Sequence, residues 1–447
     1  MKPQGGWYLV VLLFFAYMLS FLDRQIIALL IEPIKLELGI SDFQFSLLHG
    51  LGFGVFFALF GIPIALAADR WNRTRIIGLG IVVWSAMTVV CGLARSYLQL
   101  FLGRIGVGVG EAALAPAAYS LLADVFDRKR LPTAMAVFSM GSTVGSGLAF
   151  LLGGYLLTTL AQWDRSEISW LAGYADWQLA FMMAGMPGLL LALFIFALKE
   201  PVRKGLLDTR PQSVAAQLRS TFVFLLSHKR LYLGIFIAIA ATTAMSSGFI
   251  VWAPVYLMRE FGFTPPEAAA RFGSVFIVAA SAGVLGGGLL ASHWQPRFGQ
   301  ITYLRVMRVA MSGTLLAILP LPLLTDPVAV LVLIGLAVFF TQSLAAVSVA
   351  SIQVITPNEK RAQLSSYFLL FVNLLGYGSG APLVAAVTDF VWRDPSALGW
   401  SLSLAALVLL PLALVAVTVA WPHYKIAPNY AIANPESPAQ DDLTYAR

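Results

Sequence analysis

Long apolar runs recur along the chain with short polar stretches between them, and their lengths are those of membrane spans. A helix needs about 20 mostly apolar residues to cross the hydrocarbon of a bilayer. Twelve runs meet that need: 7–31, 44–67, 76–94, 98–121, 132–160, 177–198, 231–258, 272–292, 302–322, 328–352, 362–388 and 399–421. The joints at 94/98 and 322/328 are very short. The longest internal polar segment, 199–230, follows the sixth run. It divides the chain into a first set of six spans over 1–198 and a second set over 231–421. Within it, Pro211 to Leu226 mixes polar and apolar residues and predicts a helix lying on the membrane surface. Residues 422–447 are rich in Pro, Asn, Asp and Ala and predict a disordered tail. The pattern predicts an all-α polytopic membrane protein with both termini on one side.

Composition excludes the soluble alternative. The 447 residues would make about three soluble domains by length alone. Yet 59% are hydrophobic and only 11% charged, against about 25% in a soluble domain. The net charge of +7 does not point to nucleic acid, because the basic residues sit in short loops rather than on one face. Their distribution sets the orientation instead. With the termini cytoplasmic, 21 Lys and Arg fall in cytoplasmic segments and 6 in the opposite ones, namely Lys35, Arg95, Arg165, Arg259, Arg271 and Arg393. Arg24 and Arg104 lie inside spans. The lone cysteine, Cys91, permits no intramolecular disulfide and no thiolate metal site, and reads as a small packing residue. The first run is no cleavable signal, since it is long and contains Asp23 and Arg24. No cofactor, metal or nucleotide site is expected, and no nucleophile–base pair suggests an enzyme.

The two sets echo each other weakly. Asp127-Arg128-Lys129-Arg130 follows the fourth span and Asn358-Glu359-Lys360-Arg361 follows the tenth. A six-plus-six layout around a long central loop marks two related bundles. The loop ALAADRWNRTR at 65–75 resembles the loop between spans two and three that marks the major facilitator superfamily. Asp69, Arg70, Arg73 and Arg75 fit the family pattern, while Ala65 and Asn72 replace two family glycines. Span five is similar to the family's glycine-rich span, with Gly141, Gly145, Gly147, Gly153 and Gly154. Within the superfamily the chain resembles the Spinster group of lysolipid and sphingosine-phosphate transporters. The likeness rests on FLDRQ at 21–25, GRIGVGVGEAALAPAAYSLLADVF at 103–126, and Asn373, Gly376, Gly380 and Pro382 of span eleven. It implies two six-helix bundles that alternate access to a central cavity. Related sugar-acid and drug carriers share parts of span four.

A charge near the bilayer centre costs about 2.5–3.5 kcal/mol on insertion scales, so charges retained there are functional candidates. Four stand out: Asp23 and Arg24 in span one, Arg104 and Glu111 in span four. Span one runs outward and Asp23 lies roughly 24 Å along it by helical rise. Span four runs inward and Arg104 lies near its outer end, at similar depth. Glu111 follows seven residues later on the same face. The three are expected to form an Asp–Arg–Glu cluster lining the cavity. Arg24, turned about 100° from Asp23, is expected to face another helix or reach outward. A closed salt-bridge network that merely locks the first bundle is the plainer alternative.

A carboxylate beside an arginine can hold an ion pair or, once protonated, release the arginine. Asp23 is thus the expected proton carrier. Arg104 would alternate between Asp23 and an anionic substrate head, and Glu111 would orient Arg104 or take a second proton. The resemblance to Spinster proteins implies the same Asp and Arg roles. The second set of spans offers only mild polar groups: Thr242, Thr243, Ser246, Ser247, Gln342, Ser343 and Asn373. Of these, Thr243, Ser247, Gln342 and Asn373 are the expected substrate contacts, unless they serve helix packing. One charged wall facing a mostly apolar one suits an amphiphile.

Other signals are weaker. Gly106, Gly108 and Gly110 imitate a phosphate-binding run but sit inside an apolar span, so close helix packing is expected. His49 reads as an interfacial histidine or a pH sensor. Asp69 is expected to cap the start of span eleven, as the family implies, and so to close an inner gate. Arg70, Arg73, Asp124, Arg130 and Glu200 would add to that gate. The expected function is proton-coupled transport of an amphiphilic organic anion, such as a lysophospholipid or sphingoid phosphate, by a monomer in a bacterial inner membrane. A sugar-acid or drug carrier is the alternative, and a non-transporting sensor or scaffold is the second.

Overall fold

The computed structural model describes residues 3–126, 130–163, 173–201 and 214–432, with the side chains of a few residues inside them, Asp69 and Arg70 included, left undescribed. Arg128, Lys129, Arg203, Lys204 and Arg210 lie outside the described residues. The described chain is helical throughout. Among the described residues, eleven stretches are long and apolar enough to cross a membrane. One of them, Pro265–Leu323, contains two expected spans, the helices Pro265–Phe298 and Thr302–Ile318. They are joined at Gly299, whose φ of 59° only glycine adopts without strain. With that stretch divided, the twelve expected spans are accounted for.

Prolines explain where the spans break. Span one is α-helical over Pro3–Ile26 and tightens to a 3-10 turn over Ile27–Leu29. Pro33 lies four residues after Leu29 and offers that carbonyl no N–H. Span four is interrupted between Tyr97–Glu111 and Leu114–Val125. Pro116 stands four residues after Ala112, whose carbonyl therefore loses its helical donor. The break falls directly after Glu111. Span eleven has a π-helical segment, Asn373–Tyr377, ahead of Pro382, and a second over Val387–Trp392. Such wide turns concentrate at functional sites.

The two short joints are capped. Ser96 Oγ accepts from Gln99 N at the start of span four, and Asp326 accepts from Val328 N and Ala329 N at the start of span ten. A helix over Val214–Ser227 occupies part of the central polar segment. The last helix, Leu398–Ile432, runs eleven residues into the segment expected to be a disordered tail. The apolar stretch Leu407–Val419 propagates helix into it, and the helix continues through Pro422 with no glycine between Gly399 and Ile432.

Helix pairings of the first six spans recur in the last six. Span one packs on five as seven packs on eleven; three packs on six as nine packs on twelve. Span two packs on four, and eight on ten. The glycine run of span four makes this close. A Cβ on Gly108 would lie 2.7 Å from the Phe53 carbonyl oxygen, and one on Gly110 2.5 Å from the Trp84 nitrogen. These glycines therefore seat span four on spans two and three.

Between the sets, span five meets span eight and span two meets span eleven. These contacts sit toward the end of the molecule away from the chain termini, called outer below. Phe150 meets Phe272 with ring centroids 4.7 Å apart. A Cβ on Gly50 of span two would collide with the Gly378 carbonyl and lie 2.9 Å from Pro382 Cδ of span eleven, so only glycine lets these spans approach here.

Candidate functional site

The four intramembrane charges converge, in a pattern the sequence reading did not foresee. Asp23, Arg104 and Glu111 are buried, with 2% exposure at most. Arg104 Nη1 reaches the main-chain oxygen of Asp23 at 3.5 Å rather than its carboxylate. The Asp23 carboxylate accepts from Thr88 of span three through Oδ2, at 3.3 Å, and its Oδ1 has no partner. Arg104 Nε and Nη2 are likewise unbonded.

Glu111 pairs with Arg24, the residue expected to point elsewhere. Arg24 Nη2 donates to Glu111 Oε2 at 2.6 Å, and Ser20 Oγ donates to the same oxygen at 2.8 Å. Glu111 therefore orients Arg24, not Arg104. Residues 20 and 24 share one face of span one, and the interruption after Glu111 ends the helix of span four there. Aromatic faces hold both guanidinium groups. Arg24 lies 4.5 Å from the Phe21 ring and 4.4 Å from the Phe53 ring. Phe53 also lies 5.5 Å from the Arg104 guanidinium, so one ring stands against both cations. Arg24 keeps 14% of its side chain accessible, whereas Glu111 has none. His49 is 9% exposed, with an unbonded Nδ1, and is thus a buried rather than an interfacial histidine.

The second set of spans contributes a cavity of about 230 Å³. Its wall includes Thr242, Thr243 and Ser246 of span seven, Thr341 and Gln342 of span ten, and Asn373 and Tyr377 of span eleven. Three expected substrate contacts, Thr243, Gln342 and Asn373, are brought together here. Ser247 is not part of that wall. It is buried, and its hydroxyl donates to the carbonyls of Ala244 and Gly376, so it packs span seven on span eleven. Ile239, Leu344, Val349, Phe368, Leu369 and Val372 complete an otherwise apolar wall. Asn373 opens the π-helical segment of span eleven.

Of the expected gate residues, Arg73 is the best anchored. It is 1% exposed and binds Asp124 Oδ2 at 2.5 Å, Glu200 Oε1 at 2.7 Å and Ser120 Oγ at 2.8 Å. Asp124 and Ser120 belong to the first set and Glu200 directly follows its sixth span, so Arg73 ties spans three and four to the end of span six rather than to span eleven. Arg130 is exposed at the start of span five. Asp69 and Arg70 carry no described side chains.

The sequence reading missed a charge network at the outer end. Arg259, near the end of span seven, donates to Glu32 Oε1 at 2.7 Å and to Asp42 at 2.7 and 2.8 Å. Lys35 also pairs with Asp42. The Phe43 amide donates to Asp389 of span eleven at 2.7 Å. Two links thus fasten the first set to the second. The only sequence signal was a set of opposite charges at the outer ends of different spans.

Comparison with known proteins agrees with this architecture. The family model of the Major Facilitator Superfamily matches residues 13–381. An MFS-type efflux pump of Mycolicibacterium smegmatis is 27% identical over 91% of this chain and 90% of its own length. Protein spinster homolog 1 of Xenopus tropicalis is 27% identical over 62% of this chain, which spans about half of that relative, 53%. The crystal structure of a bacterial homolog to the human lysosomal transporter Spinster, in an inward-facing and occupied conformation, superposes with a TM-score of 0.77. It shares 28% identity and covers 97% of this chain and 98% of its own. With the family match spanning most of its spans, the chain belongs to the major facilitator superfamily as a multi-pass membrane transporter most like the Spinster group.

Proposed function

We propose that this transporter carries an amphiphilic organic anion, of the lysophospholipid or sphingoid-phosphate type, by alternating access coupled to protons. The observation that carries the reading is the Asp23–Arg104 contact: a buried carboxylate beside a buried guanidinium that is not paired with it, each with unfilled hydrogen-bonding capacity. A carboxylate in that position gains from a proton when the site is empty and gives it up when a cation moves onto it. Asp23 is the proton carrier in this scheme. Arg104 swings between Asp23 and the incoming anion. Arg24, partly accessible and backed by Phe21 and Phe53, offers a second guanidinium, and a substrate anion competes with Glu111 for it. Protonation of Glu111 on its unbonded Oε1 side then releases Arg24.

The contacts at the outer end fit an inward-facing state. Arg259, Glu32 and Asp42 act as the outer latch, and Asp69 and Arg70 as parts of the inner gate. Thr243, Gln342 and Asn373 contact the uncharged part of the substrate. The likeness to the sphingosine-1-phosphate transporter SPNS2 of Danio rerio, 27% identical over 56% of this chain, supports the lipid-like class. The hydroxyl and amide groups of the second wall favour one other reading, a sugar acid or another polar organic anion.

Uptake of a labelled lysophospholipid into proteoliposomes, with and without a pH gradient, tests the proposal. Gradient-driven uptake by the wild type that vanishes in Asp23→Asn, while counterflow exchange persists, is the expected result. Unchanged gradient dependence in the variant removes Asp23 as the carrier. Uptake of sugar acids in preference to the lipid, by the same preparation, moves the substrate to the second reading.

A further inference from the structure

The inner edge of the second set of spans carries a basic group that the transport scheme does not use. The segment 293–308 joins spans eight and nine and contains Arg297, Arg305 and Arg308. It contains no acid, and no Asp or Glu occurs anywhere between Glu267 and Asp326. Span twelve packs alongside and adds Lys425; it too is free of acids from Leu398 to Ile432. None of the three arginines has a carboxylate within salt-bridge distance among the described residues.

These cations are held in place, which sets them apart from ordinary loop lysines. The Arg305 guanidinium lies 3.6 Å from the centre of the Phe298 ring. Arg308, one turn away on the same face, lies 4.0 Å from the Trp421 ring and donates to Thr418 Oγ1 at 3.0 Å. Stacking on an aromatic face immobilises a guanidinium without neutralising it, and leaves its N–H edge free for a planar or tetrahedral oxyanion. A tryptophan at the end of a span sits where headgroups lie. A basic pocket between transmembrane helices on that side suits an acidic headgroup.

We propose that Arg305 and Arg308, backed by Phe298 and Trp421 and joined by Arg297 and Lys425, bind the phosphate of an anionic phospholipid from the surrounding leaflet. The lipid acts as a resident ligand that clamps spans eight, nine and twelve together at their inner ends. The site is remote from the Asp23–Arg104 cluster and independent of which substrate is carried. Its occupant is a membrane lipid, because the cations meet at the level of the headgroups and one phosphodiester can satisfy two forks that no protein acid neutralises.

Native mass spectrometry of the detergent-purified full chain, mixed with equal amounts of phosphatidylglycerol and phosphatidylcholine, tests this directly. Wild type should retain phosphatidylglycerol preferentially. Arg305→Ala/Arg308→Ala should lose that preference roughly tenfold, while Arg271→Ala, at the outer end, keeps it. Raising the salt concentration should strip the lipid from wild type, a readout that needs no variant to fold. Equal retention of both lipids by wild type, insensitivity to salt, or the same loss in Arg271→Ala overturns the proposal. So does phosphatidylglycerol binding that emerges only when Glu436, Asp441 and Asp442 are neutralised, since the patch would then belong to the chain's own C-terminal segment.

Discussion

The two halves of this transporter differ in the chemistry of their polar interiors. The first holds two buried acids, the buried Arg104 and the partly accessible Arg24 among spans one, three and four. The second presents hydroxyls, amides and a tyrosine, with a π-helical segment where the first half has ions. Buried ion pairs are strongly destabilised by removal of one partner and depend on protonation. Neutral hydrogen-bonding groups contribute about 0.5–1.5 kcal/mol each and ignore pH over the physiological range. In the proposed scheme the first half couples energy and the second fits the substrate.

The largest test of that contrast is removal of one partner of the buried pair. Glu111→Ala strands Arg24 beside Phe21 and Phe53 and should cost about 3–5 kcal/mol, read as thermal unfolding in detergent. The double variant Arg24→Ala/Glu111→Ala should regain part of that loss. A near-neutral single variant would mean that the pair is solvated and the contrast false.

Next is the outer latch, the place where the halves are tied by charge. Arg259→Ala leaves Asp42 and Glu32 without their shared cation and should cost the closed outer end about 2–5 kcal/mol. Spin-label distances across the outer ends of spans two and eleven should lengthen. Unchanged distances would show that the aromatic contacts between spans five and eight suffice.

Packing gives a smaller effect. Gly108→Ala drives a methyl into the Phe53 carbonyl at 2.7 Å, a main-chain atom that cannot step aside, and should cost about 1–3 kcal/mol. Gly61→Ala meets nothing within 4 Å and should be neutral or slightly stabilising in the same unfolding assay.

The smallest effect is expected in the neutral wall. Gln342→Ala should raise the KM for substrate by about 2–10-fold, with the pH profile of transport unaltered. A shifted pH profile would erase the division of labour between the halves.

How much was legible in the sequence varies with the kind of signal. The spans were, because hydrocarbon thickness imposes a length that composition reports directly. Asp23, Arg24, Arg104 and Glu111 stood out for the same reason: each is conspicuous in an apolar run. Their partners were not legible. A helix buried among several neighbours offers an inward direction on most of its faces, so the 100° between Asp23 and Arg24 did not say which would meet span four. The interruption after Glu111 and the proximity of Ser20 settled that pairing. Ser247 looked like a cavity residue, yet its hydroxyl is spent on two carbonyls at a helix contact. The outer links were hidden because Glu32, Asp42, Arg259 and Asp389 come from separate loops and span ends, each unremarkable alone.

What the sequence by itself determined is an all-helical membrane protein, its spans and the residues too costly to bury without a use. Transfer free energy acts on each segment separately, so it can be read segment by segment. The tertiary structure alone decided which cation meets which carboxylate, which hydroxyls face the cavity and which end of the molecule is fastened. Those depend on distances between helices far apart in the chain, and a change of a few ångströms turns a pair into a gap.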